Sequence, residues 1–159
     1  ADNPLLTSRG RSIPEPLRVV FSKSLNFPSK ANLWDVSVAE TIIAYGPKAN
    51  KTEKFPEGPE RLLLNCSDPL HLMEALALRG CNKVLWECGP LLATDAIKQS
   101  CVQELAVFVA PSLLGGTPAM TPLADLGFKS LDQSIGLDFH SIRRIGPDCL
   151  LQGNVINNI

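Results

Sequence analysis

Apolar residues in this chain fall in short runs, and several of the runs are separated by segments of helical period. Leu17-Arg18-Val19-Val20-Phe21-Ser22 is rich in β-branched residues and predicts a buried strand. Thr41-Ile42-Ile43-Ala44-Tyr45, closed by Gly46-Pro47, predicts a second, and Arg61-Leu62-Leu63-Leu64-Asn65 a third. Asp68-Pro69 then combines an N-cap residue with proline at the first helical position. The helix it opens has Leu72, Ala75 and Leu76 as a core-facing stripe, with Leu78 as a further candidate, and Gly80 stops it. Residues 82–87 read as a fourth strand, followed by a second helix from Gly89-Pro90 to the neighbourhood of Ser100. Residues 103–110 read as a fifth strand, ended by Pro111. Between Gly136 and Val155 a looser alternation around Gly146-Pro147-Asp148 predicts two antiparallel strands joined by a turn. Strands alternating with helices give an α/β fold with a mostly parallel central sheet covered by helices on both faces. The C-terminal hairpin adds antiparallel strands to it.

Composition narrows the function. With 159 residues, 45% of them hydrophobic, the chain supports one packed core, and residues 1–159 are expected to form a single domain. A net charge of −1 and a charged fraction of 19% argue against electrostatic capture of nucleic acid. Apolar stretches of only a few residues predict no membrane span. The start, Ala1-Asp2-Asn3-Pro4, has neither the charged opening nor the apolar core of a signal peptide. Five scattered cysteines read as buried free thiols in a reducing compartment. Cys66 with His71, and Cys81 with Cys88, lack the ligand spacing of a zinc site, so no metal is expected. His71 and His140 show no nucleophile or ligand partner and read as structural or surface residues.

Chemistry concentrates in Val84-Leu85-Trp86-Glu87-Cys88-Gly89-Pro90-Leu91-Leu92-Ala93. An apolar run ends on a carboxylate, turns at glycine and enters a helix through proline. A helix N-terminus offers unpaired N–H groups and partial positive charge to a phosphate, and Gly89 would let a ligand approach the backbone closely. Glu87 is placed to accept hydrogen bonds from a substrate. An ordinary βα turn is the competing reading, because this is not the G-x-G-x-x-G fingerprint. A second glycine turn, Pro111 to Gly116, would lie on the same sheet edge if the fourth and fifth strands were parallel, and a flexible loop is its alternative. In Asp2-Asn3-Pro4-Leu5-Leu6-Thr7-Ser8-Arg9, Arg9 offers a forked donor to a phosphate, and Asp2 could bind a ribose hydroxyl or supply a proton. Taken by itself that segment also reads as a frayed terminus.

These segments, in this order, resemble the reductase domain of the bifunctional riboflavin-biosynthesis deaminase/reductase proteins. The family's pattern runs A-D-[DN]-P-x-L-T-x-R, P-[LI]-R-[IV]-V, V-E-[GA]-G-P, V-x-E-L…[IV]-A-P-x-L-[LI]-G and R-x-[IV]-G-x-D. Its counterparts here are residues 1–9, 16–20, 86–90, 102–115 and 144–148. Asn32-Leu33-Trp34-Asp35 and Leu85 to Gly89 look closest to the plant and cyanobacterial branch. The resemblance implies a dihydrofolate-reductase-like fold, NADPH as hydride donor, a homodimer, and a cytoplasmic address, or a plastid one in a plant. It implies reduction of 5-amino-6-(5-phosphoribosylamino)uracil to the ribitylamino form. Position by position, it assigns Asp2 to the cofactor near the reacting centre and to ring opening. It assigns Leu6, Arg9 and Glu87 to the substrate, and Gly89, Pro90, Leu91, Leu92, Ala93, Thr94 and Asp95 to the cofactor phosphates. The family's domain begins further upstream with a strand and a helix, so residues 1–159 are expected to be that domain without its first strand and helix. Cys88 stands where the family has glycine or alanine, and Lys23 where it often has a small hydroxyl residue. A related pterin or pyrimidine reductase, or a non-catalytic dimerisation scaffold of the same fold, are the alternatives.

Overall fold

A computed structural model describes residues 3–49, 54–115 and 121–156 of the chain. The chain divides into two units, Ala1–Cys81 and Asn82–Ile159.

In the first unit, β1 (Arg18–Phe21), β2 (Thr41–Tyr45) and β3 (Glu60–Leu63) form a parallel sheet in the order β1-β2-β3. Val20 pairs with Ile43, and Ile43 with Arg61. The middle strand has a ladder on each side, and Thr41 through Ala44 are all buried. Burial on both faces is why its sequence is a continuous apolar run instead of an alternating one. Leu25, Ile43 and Ala49 are packed by Val20, Phe27, Trp34, Tyr45 and Phe55. Phe27 meets Trp34 edge-on at 5.5 Å, and Tyr45 meets Phe55 at 5.2 Å. Helix α1 (Pro69–Leu78) follows β3. The Asp68 carboxylate accepts the His71 N–H at 3.0 Å, the predicted N-cap, and the helix buries Pro69, Leu72 and Leu76. Leu78, the further core candidate, is instead 90% exposed. It lies two residues past Leu76, about 200° around the helix at 3.6 residues per turn, and so faces away from the stripe.

In the second unit, helix α2 (Pro90–Lys98) precedes β4 (Glu104–Val109), β5 (Gly136–Ile145) and β6 (Asp148–Ile156). The three strands form an antiparallel sheet in the order β4-β6-β5. The predicted hairpin is β5-β6, turning at Gly146 with φ +61°, a conformation glycine adopts without a Cβ penalty. The predicted fifth strand is β4, and it joins this hairpin through β6. Gly153 on β6 lets β5 approach closely. A Cβ there would stand 2.9 Å from the Asp138 carbonyl oxygen and 3.0 Å from the Phe139 ring, beside a bulge between Phe139 and Ser141.

Residues 82–87 do not form the predicted fourth strand. They keep a strand's period of two, with Val84 and Trp86 half-buried and Lys83, Leu85 and Glu87 exposed. Period two describes side chains, whereas a strand needs a neighbour's N–H and C=O groups, and no described strand pairs with this one.

Candidate functional site

The two predicted binding segments fall in different units. Asp2 lies outside the described residues. Asn3, Leu6 and Arg9 have φ of +46°, +48° and +54°. Left-handed backbone at residues other than glycine is costly and persists where the surroundings impose it. Those surroundings are specific. Asn32 donates its backbone N–H to Asn3 Oδ1 at 2.9 Å and its side-chain amide to Asn3 O at 2.7 Å. Arg18, only 2% exposed, donates to the carbonyls of Leu5 at 3.2 Å, Asn32 at 3.4 Å, Asp35 at 2.6 Å and Ala39 at 2.7 Å. Glu15 accepts the Ser8 N–H at 2.7 Å and the Gly10 N–H at 3.2 Å. The Ser8 backbone N–H, followed by the Ser8 side chain, holds the Glu15 carboxyl below its ordinary value of 4.5. Leu6 is half-buried. Arg9 is exposed, and its guanidinium has no hydrogen bond or ion pair among the described residues. The sequence reading singled out Leu6 and Arg9 and missed Glu15 and Arg18, which secure the turn they sit on. Arg18 had a signal, a cation within a buried apolar run; Glu15 had none.

The second segment is built on α2. Trp86 donates its indole N–H to Cys101 O at 3.2 Å, fixing the half-buried side of the run that leads into the helix. Glu87, its neighbour in the period-two pattern, is exposed. Burial pushes the Cys88 thiol above its ordinary value, so it stays protonated at neutral pH. Gly89 is the N-cap of α2, with ordinary extended backbone at φ −74° and ψ 170°. Its lack of a side chain is therefore not required by the turn, and a Cβ there would meet nothing within 4 Å. As the N-cap residue, Gly89 supplies no side-chain hydrogen bond to the helix, in contrast to Asp68 on α1. Pro90 has no N–H, and the amides of Leu91 and Leu92 follow it at the open helix start. These features fit an anion such as a cofactor phosphate: open space before glycine, backbone donors and the positive end of the helix. Thr94 is buried and its hydroxyl accepts the Ala124 N–H at 2.9 Å, so its side chain is committed to the fold. Asp95 lies half-buried in the second turn.

The second glycine turn does not stand on a shared parallel edge with the first. Residues 82–87 form no ladder, and β4 pairs antiparallel with β6. Leu113 and Leu114 of this turn are exposed, and Gly116 lies outside the described residues.

Two other places qualify on geometry. A cleft of about 360 Å³ is lined by Leu17, Glu40, Thr41, Glu60 and Arg79 among others, and holds none of the expected site residues. Glu60 and Arg79 within it already pair with each other. Cys66, Asp68 and His71 bring their sulfur, oxygen and nitrogen atoms within 4.8 Å of one another, although their sequence spacing suggested no metal site. Here Asp68 Oδ1 caps α1 and also meets His71 Nδ1 at 2.8 Å. His71 therefore has a partner that its sequence context did not reveal. The Asp68 hydrogen bond keeps the Cys66 thiol above its ordinary value, and hence protonated. Helix capping accounts for this group.

Residues 1–151 match the family described as the RibD C-terminal domain. The chain is 41% identical over 162 residues to the riboflavin biosynthesis protein RibD of Synechocystis sp., covering 99% of this chain and 44% of that protein. It is 39% identical over 155 residues to the chloroplastic riboflavin biosynthesis protein PYRR of Arabidopsis thaliana, covering 96% of this chain and 26% of that protein. It thus spans less than half the length of these curated relatives. Among solved structures, RibD of Acinetobacter baumannii superimposes with a TM-score of 0.78 at 20% identity, over 98% of this chain and 44% of that one. A diaminohydroxyphosphoribosylaminopyrimidine deaminase/5-amino-6-(5-phosphoribosylamino)uracil reductase of Thermotoga maritima superimposes at 0.77 and 16% identity, over 98% and 42% respectively. These likenesses show the α/β, dihydrofolate-reductase-like fold of RibD reductase domains. With residues 1–151 matched, the chain belongs to the RibD C-terminal domain family, the reductase domain of riboflavin biosynthesis.

Proposed function

We propose that this chain is the NADPH-using part of a riboflavin-pathway reductase that converts 5-amino-6-(5-phosphoribosylamino)uracil to its ribitylamino form. The observation that carries the proposal is the start of α2, where Gly89 leaves open space and, as the N-cap residue, makes no side-chain cap. The amides of Leu91 and Leu92 would hold cofactor phosphate, with Pro90 fixing the helix entry and Ala93 to Asp95 supporting the same turn. NADPH, when bound, supplies the hydride.

The chain's own residues have simpler tasks. The ribosylamine ring opens to an imine before C1 can accept hydride, and the nitrogen then takes a proton. Asp2 is the carboxyl we assign to assisting that opening. Arg9, exposed and unpaired among the described residues, would bind the substrate phosphate, with half-buried Leu6 packing beside it. Glu87 would accept hydrogen bonds from the pyrimidine. Much of the acceleration would come from alignment of donor and acceptor.

A homodimer is part of the same proposal. Val107, Leu151 and Ile142 are cross-strand neighbours on one face of the β4-β6-β5 sheet, and Phe139 faces Gly153 on that side. Val107, Phe139 and Ile142 are exposed, Ile142 at 65%. A second copy would cover such a face. No helix among the described residues is long and apolar enough to cross a membrane. The chloroplastic plant relatives support a plastid address if the source is a plant.

The test is consumption of NADPH with the phosphoribosylamino-pyrimidine, with the product identified by mass. A gain of two hydrogens supports the proposal; NADPH consumption that does not depend on the pyrimidine refutes it.

A further inference from the structure

Three residues of the first turn carry left-handed backbone without being glycine, at Asn3, Leu6 and Arg9. Nothing in the residue types favours that shape at Leu6 or Arg9, so its cause must lie in what grips the turn. Glu15 grips it symmetrically. One carboxylate oxygen takes the N–H before Arg9, from Ser8 at 2.7 Å, and the other takes the N–H after it, from Gly10 at 3.2 Å. Ser8 Oγ closes the following residues by accepting from Arg11 N at 3.1 Å and Ser12 N at 3.0 Å. At the other end, buried Arg18 holds the Leu5 carbonyl and ties it to the carbonyls of Asn32, Asp35 and Ala39. The turn is thus fixed on both sides of Leu6–Arg9, while the Arg9 guanidinium itself has no partner among the described residues.

We propose that Glu15 is a positioning residue for substrate binding: its carboxylate clamps the amides on either side of Arg9 and so presents the Arg9 guanidinium to the substrate phosphate, with Arg18 anchoring the turn's other end. This rests on the assignment of Arg9 to that phosphate. A carboxylate is required because two N–H groups face it and both need acceptors. An amide supplies one acceptor and turns N–H donors toward the other amide. Glu15 is half-buried and grips only this turn, unlike buried Arg18, whose replacement would release four carbonyls spread over Leu5 to Ala39 and leave the buried Ala39 carbonyl poorly satisfied. Glu15→Gln is therefore the informative variant.

The experiment measures the full chain and Glu15→Gln, Glu15→Asp, Arg9→Ala and Arg9→Ala/Glu15→Gln. Readouts are substrate KM, kcat, NADPH affinity, and hydrogen exchange at the Ser8 and Gly10 amides. Glu15→Gln is expected to speed exchange at both amides and to raise substrate KM about tenfold, the effect of losing a charge-assisted hydrogen bond. NADPH affinity and kcat should stay within about twofold, since only binding at the phosphate end is disturbed. Glu15→Asp should regain part of the loss. Glu15→Gln should add little to Arg9→Ala, because both act through one guanidinium. If Arg9→Ala raises KM while Glu15→Gln leaves it unchanged, or if Glu15→Gln weakens substrate and NADPH equally, the positioning role is overturned. If Arg9→Ala itself leaves KM unchanged, the phosphate assignment fails, and the proposal fails with it.

Discussion

Arg9 and Arg18 show how differently one residue type is used here. Arg18 is buried and spends both terminal nitrogens on four backbone carbonyls, so it is architecture. Arg9 is exposed and spends none among the described residues, so its fork is available to a phosphate. Arg9→Ala is therefore expected to raise substrate KM by about tenfold or more, with NADPH affinity nearly unchanged. Steady-state kinetics and a cofactor titration check this, and equal losses on both would contradict it. Residue type and order marked Arg9, Leu6, Glu87 and Gly89 as candidates in the sequence. Glu15 was illegible because its importance comes from two backbone amides five and seven residues away, a contact with no periodic or compositional signature. Cys66, Asp68 and His71 were likewise hidden, since a tight turn into α1, not ligand spacing, brings them together.

The two helices start alike in sequence, each with proline at its first position, and differ in their caps. Asp68 closes α1, and the His71 N–H and ring hold its carboxyl at about 2. Because this lies below the ordinary 3.8, the cap contributes fully above the ordinary value and is lost as pH falls through about 2. The His71 ring is raised by Asp68, so the pairing contributes fully below the ordinary 6.5 and fades as pH rises through the folded value. Asp68→Ala should cost about 1 kcal/mol at neutral pH, measured by denaturant unfolding. Proton NMR should show His71 titrating closer to its ordinary value in that variant. Gly89 leaves α2 open. A Cβ there meets nothing, so Gly89→Val should keep the fold, by circular dichroism, and abolish NADPH binding by filling the phosphate's approach. Unchanged cofactor affinity would remove α2 from the site. The elements themselves were largely legible because β2, α1 and the β5-β6 hairpin carry their own periodicity and turn residues. Residues 82–87 have the periodicity of a strand and no ladder, which local pattern cannot distinguish. Leu78 failed for a simpler reason, two residues of helical rotation.

At the scale of the whole chain, the central ideas are a dimer and a cofactor site. Val107, Phe139 and Ile142 leave one face of the antiparallel sheet apolar and exposed. Sedimentation should give twice the chain mass, and Ile142→Asp should give single chains by placing a charge on that face. A monomeric parent chain would contradict the dimer. Apart from the β5-β6 hairpin, whose partners are adjacent in the chain, the sheet pairings were not legible in the sequence, because which strands share a ladder depends on contacts distant along the chain. The α/β class and the family were legible, because five motifs in order survive any uncertainty about pairing. The most direct test of the account is calorimetric titration of the chain with NADPH, with NADH as the control. Saturable binding of NADPH with clear preference over NADH, lost in Gly89→Val, is the predicted result. Equal affinity for the two cofactors, or NADPH binding that Gly89→Val leaves intact, would contradict it.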